Sequence, residues 1–159
     1  MDMFNFDFDE VVELGSRSRG TTGKKRKWRE IKALKDLYNI QEIAYDRWNA
    51  SQVSQHLQGA GIVMVQMGQG FASLNAPSKE LLRLLLAGKL AHGGNPVLRW
   101  MADNTAARQD AAGNIKPDKA KSTGRIDGIV ASVMALARST LHNPTAGTSV
   151  YSERGVLAL

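Results

Sequence analysis

The chain has 159 residues, of which 43% are hydrophobic and 23% are charged, and its formal net charge is +6. These values are ordinary for a single globular domain with a modest core. The absence of cysteine excludes disulfides and thiolate zinc sites. No apolar run approaches the roughly 20 residues of a membrane-spanning helix, and the acidic N-terminus is unlike a basic signal peptide.

The positive charge is concentrated in two segments. Nine lysines and arginines lie between residues 17 and 35, against the single acid Glu30. The second group consists of Lys116, Lys119, Lys121 and Arg125. Clusters of this kind are typical of proteins that bind a polyanion such as nucleic acid, but a solvated face or a basic tail produces the same pattern.

The first half of the chain predicts two helix–strand units after a loose N-terminal segment, residues 1–23. A helix over about 25–38 has one apolar and one basic side, and a strand over about 40–45 ends at Asp46. A helix over about 50–57 leads to a strand over about 62–67, whose continuous apolar run indicates burial on both faces.

The second half predicts a loop from Gly68 to Pro77 and a helix with Ser78 as its N-cap. Its core stripe is expected to be Leu81, Leu82, Leu85 and Leu86, with Gly88 just past its end. Pro96 is placed to begin a short helix, and a hairpin turns near Gly113–Asn114. A last helix over about 122–141 buries Ile126, Ile129, Val130, Val133, Met134 and Ala137.

Alternating strands and helices predict an α/β fold with a mostly parallel sheet flanked by helices, plus a β-hairpin. We expect a folded domain over residues 24–142 and a loose tail over 143–159. Two parallel strands make a thin sheet, so the domain either lacks strands at its front or borrows them from a partner.

Two aspartates are candidates for chemistry. Asp46 directly follows a strand, and ligands gather at the carboxyl ends of strands in open α/β sheets. Asp127 borders the apolar stripe of the last helix. Two carboxylates that meet in this way can bind Mg²⁺ or Mn²⁺. Alternatively, Asp46 only forms a turn and Asp127 only complements a helix dipole.

Other kinds of site find little support. His56 is expected on the exposed side of its helix, and His92, in a glycine-rich turn, is expected to make a structural hydrogen bond. The segments GQG and HGGN lack the Gly-Lys-Ser/Thr ending of a phosphate-binding loop, which argues against an ATPase.

The stretch from Ile43 to Arg138 resembles the nuclease domain of phage large terminases. The resemblance is carried by IAYDRWNA, VQMGQGFASLNAPSKELLRLL, GKLAHGGNPVLRWMADN and DAAGNIKPDKAKSTGRIDGIVASVMALAR, in this order. The most specific part is the block from His92 to Asn104, followed by GNIKPDK and RIDGIVA.

The resemblance implies a partial RNase H-like fold that cleaves double-stranded viral DNA during packaging, with two divalent ions, Mg²⁺ or Mn²⁺, held by acidic residues. Asp46 matches the acid of the family's "YD-x-W" segment, and Asp127 matches the acid of "IDG-x-A". Lys116, Lys119, Lys121 and Arg125 are expected to hold DNA backbone phosphates. The implied partners are an upstream terminase ATPase chain, the small terminase and the portal, in the host bacterial cytoplasm and with no membrane.

One departure from the family leaves the activity open. The family's first catalytic aspartate lies on an opening strand well upstream of the position of Asp46, and that strand is not evident here. Asp7 or Asp9 is a candidate replacement. We therefore expect half of a split terminase, a truncated prophage remnant or a domain cut from a longer protein. Its function is DNA cleavage or, alternatively, that of a catalytically incomplete fragment that binds DNA or another terminase chain.

Overall fold

The computed structural model of the chain describes residues 4–5, 30–46 and 51–142. Within these ranges the structure is mixed α/β, with five helices and six short strands. In chain order these are β1 (Phe4–Asn5), α1 (30–37), β2 (Ile43–Tyr45), α2 (Ser51–Gly59), β3 (Met64–Gln66), α3 (Phe71–Leu86), β4 (Leu90–Ala91), α4 (Pro96–Asn104), β5 (Ala107–Gln109), β6 (Ile115–Pro117) and α5 (Asp127–His142).

The described strands form three pairs. β1 and β4 are parallel, with Phe4 opposite Leu90, and β2 and β3 are parallel, with Ile43 opposite Met64. β5 and β6 form the expected antiparallel hairpin. The expectation that β3 is buried on both faces is wrong, because Val63 and Gln66 are exposed. No further strand lies beside the β2–β3 pair in the described ranges.

The core lies between α3, α5 and the β2–β3 pair. Leu74 of α3 is buried against Val133 and Met134 of α5, and Ala44 of β2 and Met67 pack against this cluster. The buried stripe expected for the last helix is confirmed at Ile126, Val133 and Met134, whereas Ile129, Val130 and Ala137 are only partly buried. Burying such side chains is the main favourable contribution to the stability of a small domain.

The start of α3 differs from the expectation. The helix begins at Phe71, with Gly70 as its N-cap and Pro77 inside it. Ser78, the expected N-cap, has a buried hydroxyl without a hydrogen-bond partner. Proline removes one helical hydrogen bond, but the turns that precede it bury Leu74 in the core, which favours the longer helix.

The longer helix also changes which leucines are buried. Leu84 is buried and Leu81 packs on the core, whereas Leu82, Leu85 and Leu86 are exposed. The expected stripe was therefore wrong at these last three positions. The register that buries Leu74 selects the residues seven and ten positions later for the same face, which leaves the other leucines toward solvent.

Several local predictions are confirmed. Gly88 adopts a φ of 62°, and the bonds from Gly88 N to Leu85 O (3.1 Å) and from Lys89 N to Leu84 O (2.9 Å) close α3 as a Schellman motif. Pro96 begins α4, where the Asn95 side chain accepts hydrogen bonds from Val97 N and Leu98 N. Gly113, with a φ of 76°, lies in the hairpin turn.

The last helix begins at Asp127, later than the expected residue 122. The residues before it form a hydrogen-bonded turn around Asp118, whose carbonyl oxygen accepts bonds from Ser122 N (3.1 Å) and Ser122 Oγ (2.7 Å). This alternative pairing of backbone groups delays the helix.

In the part of the chain that the structure describes, none of the helices is long and apolar enough to span a bilayer. Asp7, Asp9, the first residues of the helix expected over 25–38, and the tail over 143–159 lie outside the described residues.

Candidate functional site

Asp46 directly follows β2, at the end of a strand whose partner is β3. The carbonyl oxygen of Tyr45, the preceding residue, accepts a hydrogen bond of 2.9 Å from Met67 N just after β3. Asp46 itself is partly buried. The carboxyl ends of the two parallel strands therefore lie together, as the sequence predicted, and Asp46 lies at this edge.

Asp127 is the first residue of α5 and lies between two buried residues. Ile126 is 1% exposed, and Gly128 N donates a hydrogen bond of 3.2 Å to Met101 Sδ of α4. The Asp127 side chain, by contrast, is 54% exposed. The backbone is thus fixed by the core while the carboxylate faces solvent, at a helix N-terminus where a negative charge is favourable.

β2 and α5 pack against each other with antiparallel chain directions, so the end of β2 lies toward the start of α5. Glu42, just before β2, contacts Arg138 near the end of α5, and Ala44 packs near Met134. A strand rises roughly 3.3 Å per residue and a helix roughly 1.5 Å. The step from Glu42 to Asp46 therefore corresponds to about nine helical residues, which leads from Arg138 back to the first turn of α5, where Asp127 lies.

Asp46 and Asp127 both offer carboxylate oxygens, and these are donor atoms that suit a hard divalent cation. Asp127 Oδ1 already has a cationic neighbour, since Lys119 Nζ lies 2.5 Å away. Among the described residues, no group of three or more histidines, cysteines, aspartates or glutamates is arranged to hold a metal ion. The described part of the chain therefore provides two candidate ligands, and a complete set requires another.

The four basic residues expected to hold DNA are not equivalent. Lys119, Lys121 and Arg125 are exposed on the segment that leads to Asp127. Lys116 is partly buried: its Nζ donates a hydrogen bond of 2.8 Å to Gln69 O and lies 5.5 Å from the centre of the Phe71 ring. Both contacts lie at the start of α3, so the Lys116 side chain extends toward this helix.

Sequence reasoning missed an ion-pair network around the buried Glu42 carboxylate at the other end of α5. The Glu42 side chain is 8% exposed, and it accepts hydrogen bonds from Arg138 Nε and from Arg138 Nη2 (3.0 Å), with His142 Nε2 also at 3.0 Å. The hydrogen bond from Arg138 lowers the pKa of Glu42 to about 2. The partners are 96 residues apart, so no local sequence pattern signals the network.

The histidines behave as the sequence predicted. His56 is exposed on α2, and His92 Nδ1 accepts a hydrogen bond of 3.2 Å from Gly94 N in the glycine-rich turn. Neither residue lies in a described cluster that suits a metal ion.

A family model described as "Terminase large subunit, endonuclease domain" matches residues 16–143. The chain belongs to this family. The resemblance found in the sequence is therefore confirmed.

The chain is similar to two curated proteins. The "Terminase, large subunit" of Enterobacteria phage HK97 is 40% identical over 101 residues, which cover 62% of this chain and 20% of that protein. "Protein YmfN" of Escherichia coli (strain K12) is 28% identical over 141 residues, which cover 85% of this chain and 31% of that protein. The chain thus spans about a fifth to a third of the length of these relatives.

Two solved structures share the fold of this terminase nuclease domain. The HK97 bacteriophage large terminase superposes with a TM-score of 0.66 at 35% identity, covering 72% of this chain and 24% of that chain. The large terminase nuclease from thermophilic phage G20c superposes with a TM-score of 0.58, covering 77% of this chain and 66% of that chain. At 19% identity, the second likeness concerns the fold alone. Terminase nuclease domains have an RNase H-like fold, which confirms the expected fold class.

Proposed function

We propose that this domain cleaves double-stranded viral DNA during packaging, with Asp46 and Asp127 as ligands for Mg²⁺ or Mn²⁺. The observation that carries the proposal is the antiparallel packing of β2 and α5, which directs Asp46 toward the first turn of the helix that Asp127 begins. Membership of the terminase endonuclease family supplies the reaction class.

The proposed roles follow from charge and exposure. The ions would activate a water molecule and stabilise the leaving oxygen of the cleaved phosphodiester. Asp46 and Asp127 would hold them with carboxylate oxygens. The exposed Lys119, Lys121 and Arg125, together with Lys116 at the edge of the site, would hold backbone phosphates without reading the base sequence.

The proposed partners follow from the family. Beside double-stranded DNA, they are a terminase ATPase chain or domain, the small terminase and the portal, and the place of action is the host bacterial cytoplasm. This chain spans only about a fifth to a third of the length of its two relatives, so the proposed ATPase belongs to another chain or domain.

The decisive experiment is a cleavage assay on supercoiled plasmid with Mn²⁺ or Mg²⁺. We expect metal-dependent cutting by the wild type, and a loss of more than about 100-fold in Asp46→Asn and Asp127→Asn, since even second-sphere partners of metal ligands matter 10- to 100-fold. Asp103→Asn is the matched control, because Asp103 is an exposed aspartate of α4. Its activity is expected to equal that of the wild type.

Cutting that survives in both site variants, or that persists in chelator, contradicts the assigned ligands. Lost activity counts only if circular dichroism shows that the variants are folded. A folded Asp103→Asn variant that is also inactive would indicate a general effect of charge rather than a metal site.

A second candidate function is a catalytically incomplete fragment that binds DNA or another terminase chain. It is favoured by the finding that the described residues contain no group of three candidate ligands. In that case the folded wild type binds DNA but does not cut it with either ion, and cutting appears when a terminase chain that supplies the further carboxylate is added.

A further inference from the structure

The carboxylate of Asp127, a candidate metal ligand, forms an ion pair with Lys119 of the same chain. Lys119 Nζ lies 2.5 Å from Asp127 Oδ1, a charge-assisted hydrogen bond, while both side chains remain largely exposed (64% and 54%). A positive charge therefore stands where the proposed function needs a divalent cation.

The backbone around Lys119 is held in place by hydrogen bonds on both sides. Asp118 Oδ1 accepts a bond of 3.0 Å from Ala120 N, and Ala106 N donates a bond of 3.0 Å to Ser122 Oγ. Thr123 N and Thr123 Oγ1 bond to Asn104, at 3.2 and 3.1 Å. Because the turn is fixed, the ammonium group can leave Asp127 by rotation of the lysine side chain alone.

We propose that Lys119 is a built-in counter-ion for Asp127 that a divalent cation displaces, and that the released ammonium then binds a DNA phosphate. This inference rests on the proposed function. An exposed ion pair is weak, so a doubly charged ion that also contacts Asp46 outcompetes it. A lysine ammonium is a compact charge on a flexible stem, which suits it to exchange one anionic partner for another.

The two binding events are linked by this exchange. Metal binding frees Lys119 for phosphate, and a bound DNA phosphate gives the displaced ammonium group a new partner. By linkage, each ligand raises the affinity of the protein for the other by the same factor. In the absence of both ligands, the pair keeps the unneutralised carboxylate from repelling DNA.

The first test measures Mn²⁺ binding to the full chain by isothermal titration calorimetry without DNA. We expect Lys119→Gln to bind Mn²⁺ about two- to fivefold more tightly than the wild type, in line with the weakness of an exposed ion pair. Lys119→Arg keeps the charge at Asp127 and is expected to behave like the wild type. Lys79→Gln, which removes an exposed lysine near Asp110, controls for the loss of one positive charge.

The second test compares the salt dependence of binding to a cleavage-resistant phosphorothioate duplex with and without Mn²⁺. With Mn²⁺, the slope of log affinity against log salt is expected to be shallower by about one in Lys119→Gln than in the wild type. Without Mn²⁺, the two slopes are expected to agree, since Lys119 is then held by Asp127.

The outcomes separate this inference from the proposed function. If Asp46→Asn and Asp127→Asn bind Mn²⁺ as the wild type does, or if the wild type binds none, the metal site itself is wrong. If those variants lose Mn²⁺ while Lys119→Gln binds it no more tightly than the wild type, the metal site stands and the counter-ion role of Lys119 is refuted.

Discussion

Ile126 and Asp127 are consecutive residues that face opposite environments, and this contrast positions the candidate site. The Ile126 side chain is almost completely buried, while the Asp127 carboxylate faces solvent. The free energy gained by burying Ile126 therefore also fixes the backbone that presents the carboxylate. A carboxylate at the border of an apolar stripe is visible in sequence, which is why Asp127 could be proposed as a candidate, whereas the start of the helix at Asp127 was not predicted.

Lys116 is expected to contribute to stability, unlike the exposed lysines near it. Lys116→Gln removes the hydrogen bond to Gln69 O and the contact with the Phe71 ring, so we expect the free energy of unfolding to fall by about 1 kcal/mol. Urea denaturation measures this change. Lys121→Gln is the control and is expected to stay within about 0.5 kcal/mol of the wild type; equal losses in both variants would argue against the buried role of Lys116.

Glu42 is expected to make the domain sensitive to acid. Arg138 and His142 stabilise its charged form, and the pKa falls from about 4.5 to about 2 on folding. A lowered pKa in the folded state contributes stability that is fully present above pH ~4.5 and is lost as the pH falls toward 2. Urea denaturation between pH 6 and pH 3 (chosen to span roughly this window) should show stability falling more steeply in the wild type than in Glu42→Gln.

The same substitution has a second expected effect at neutral pH. Glu42→Gln leaves the partly buried Arg138 without its carboxylate partner, so we expect the variant to be less stable than the wild type above about pH 5. Its free energy of unfolding should also vary less with pH than that of the wild type. Parallel curves for the two proteins would show that Glu42 does not carry this acid response.

At the scale of the elements, α3 shows where sequence patterns mislead. Local signals at Pro77 and Ser78 predict a helix start, yet the helix already begins at Phe71. The deciding interaction is the burial of Leu74 against Val133 on a distant helix, which no local pattern reveals. The end of α3 was predictable, because Gly88 meets a purely local requirement for positive φ.

The turn between β6 and α5 depends on a residue without a side chain. A Cβ at Gly124 would lie 2.7 Å from Asn104 Nδ2 and 2.9 Å from Asn104 Cγ. The Asn104 side chain is hydrogen-bonded to Thr123, so it cannot move away without losing that bond. We expect Gly124→Ala to lower the free energy of unfolding by about 1–2 kcal/mol, measured by urea denaturation.

Gly59 provides the matched control for that substitution. It is the last residue of α2, and a Cβ there would meet nothing within 4 Å. Gly59→Ala is therefore expected to be neutral or to raise stability by up to about 1 kcal/mol. If both glycine variants lose stability alike, close packing at Gly124 is not the cause.

At the scale of the whole molecule, alternating elements were enough to predict the α/β class and the parallel β2–β3 pair, but the pairing of β1 with β4 was not predictable. The paired residues of β1 and β4 are 86 positions apart in the sequence, and a pairing over that distance depends on how the intervening helices pack. The two candidate aspartates could be named from the sequence, whereas their relative position follows from the antiparallel packing of β2 and α5. Lys119 and Asp127 are separated by an irregular turn, so no periodic spacing in the sequence predicts their ion pair.

The exposed residues Lys121 and Arg125 are expected to contribute to the salt dependence of DNA binding in the absence of metal. In the double variant Lys121→Gln/Arg125→Gln, two phosphate contacts are lost, so the slope of log affinity against log salt should become shallower by about two. Fluorescence anisotropy with a short duplex measures it. The control is Lys79→Gln/Lys89→Gln, which removes the same charge from exposed positions elsewhere; an equal change there would indicate net charge rather than a defined surface.

The two candidate aspartates are attached to elements of unequal local stability. Asp127 begins a 16-residue helix that contributes Val133, Met134 and Leu136 to the core, so the amide protons of the central turns of α5 should exchange with solvent only when the whole domain opens. Asp46 follows a three-residue strand that pairs with one described strand, β3. Local opening of such a short strand costs less free energy than opening the helix. Hydrogen exchange should therefore be faster around β2 than in the central turns of α5, and local opening is expected to displace Asp46 before Asp127.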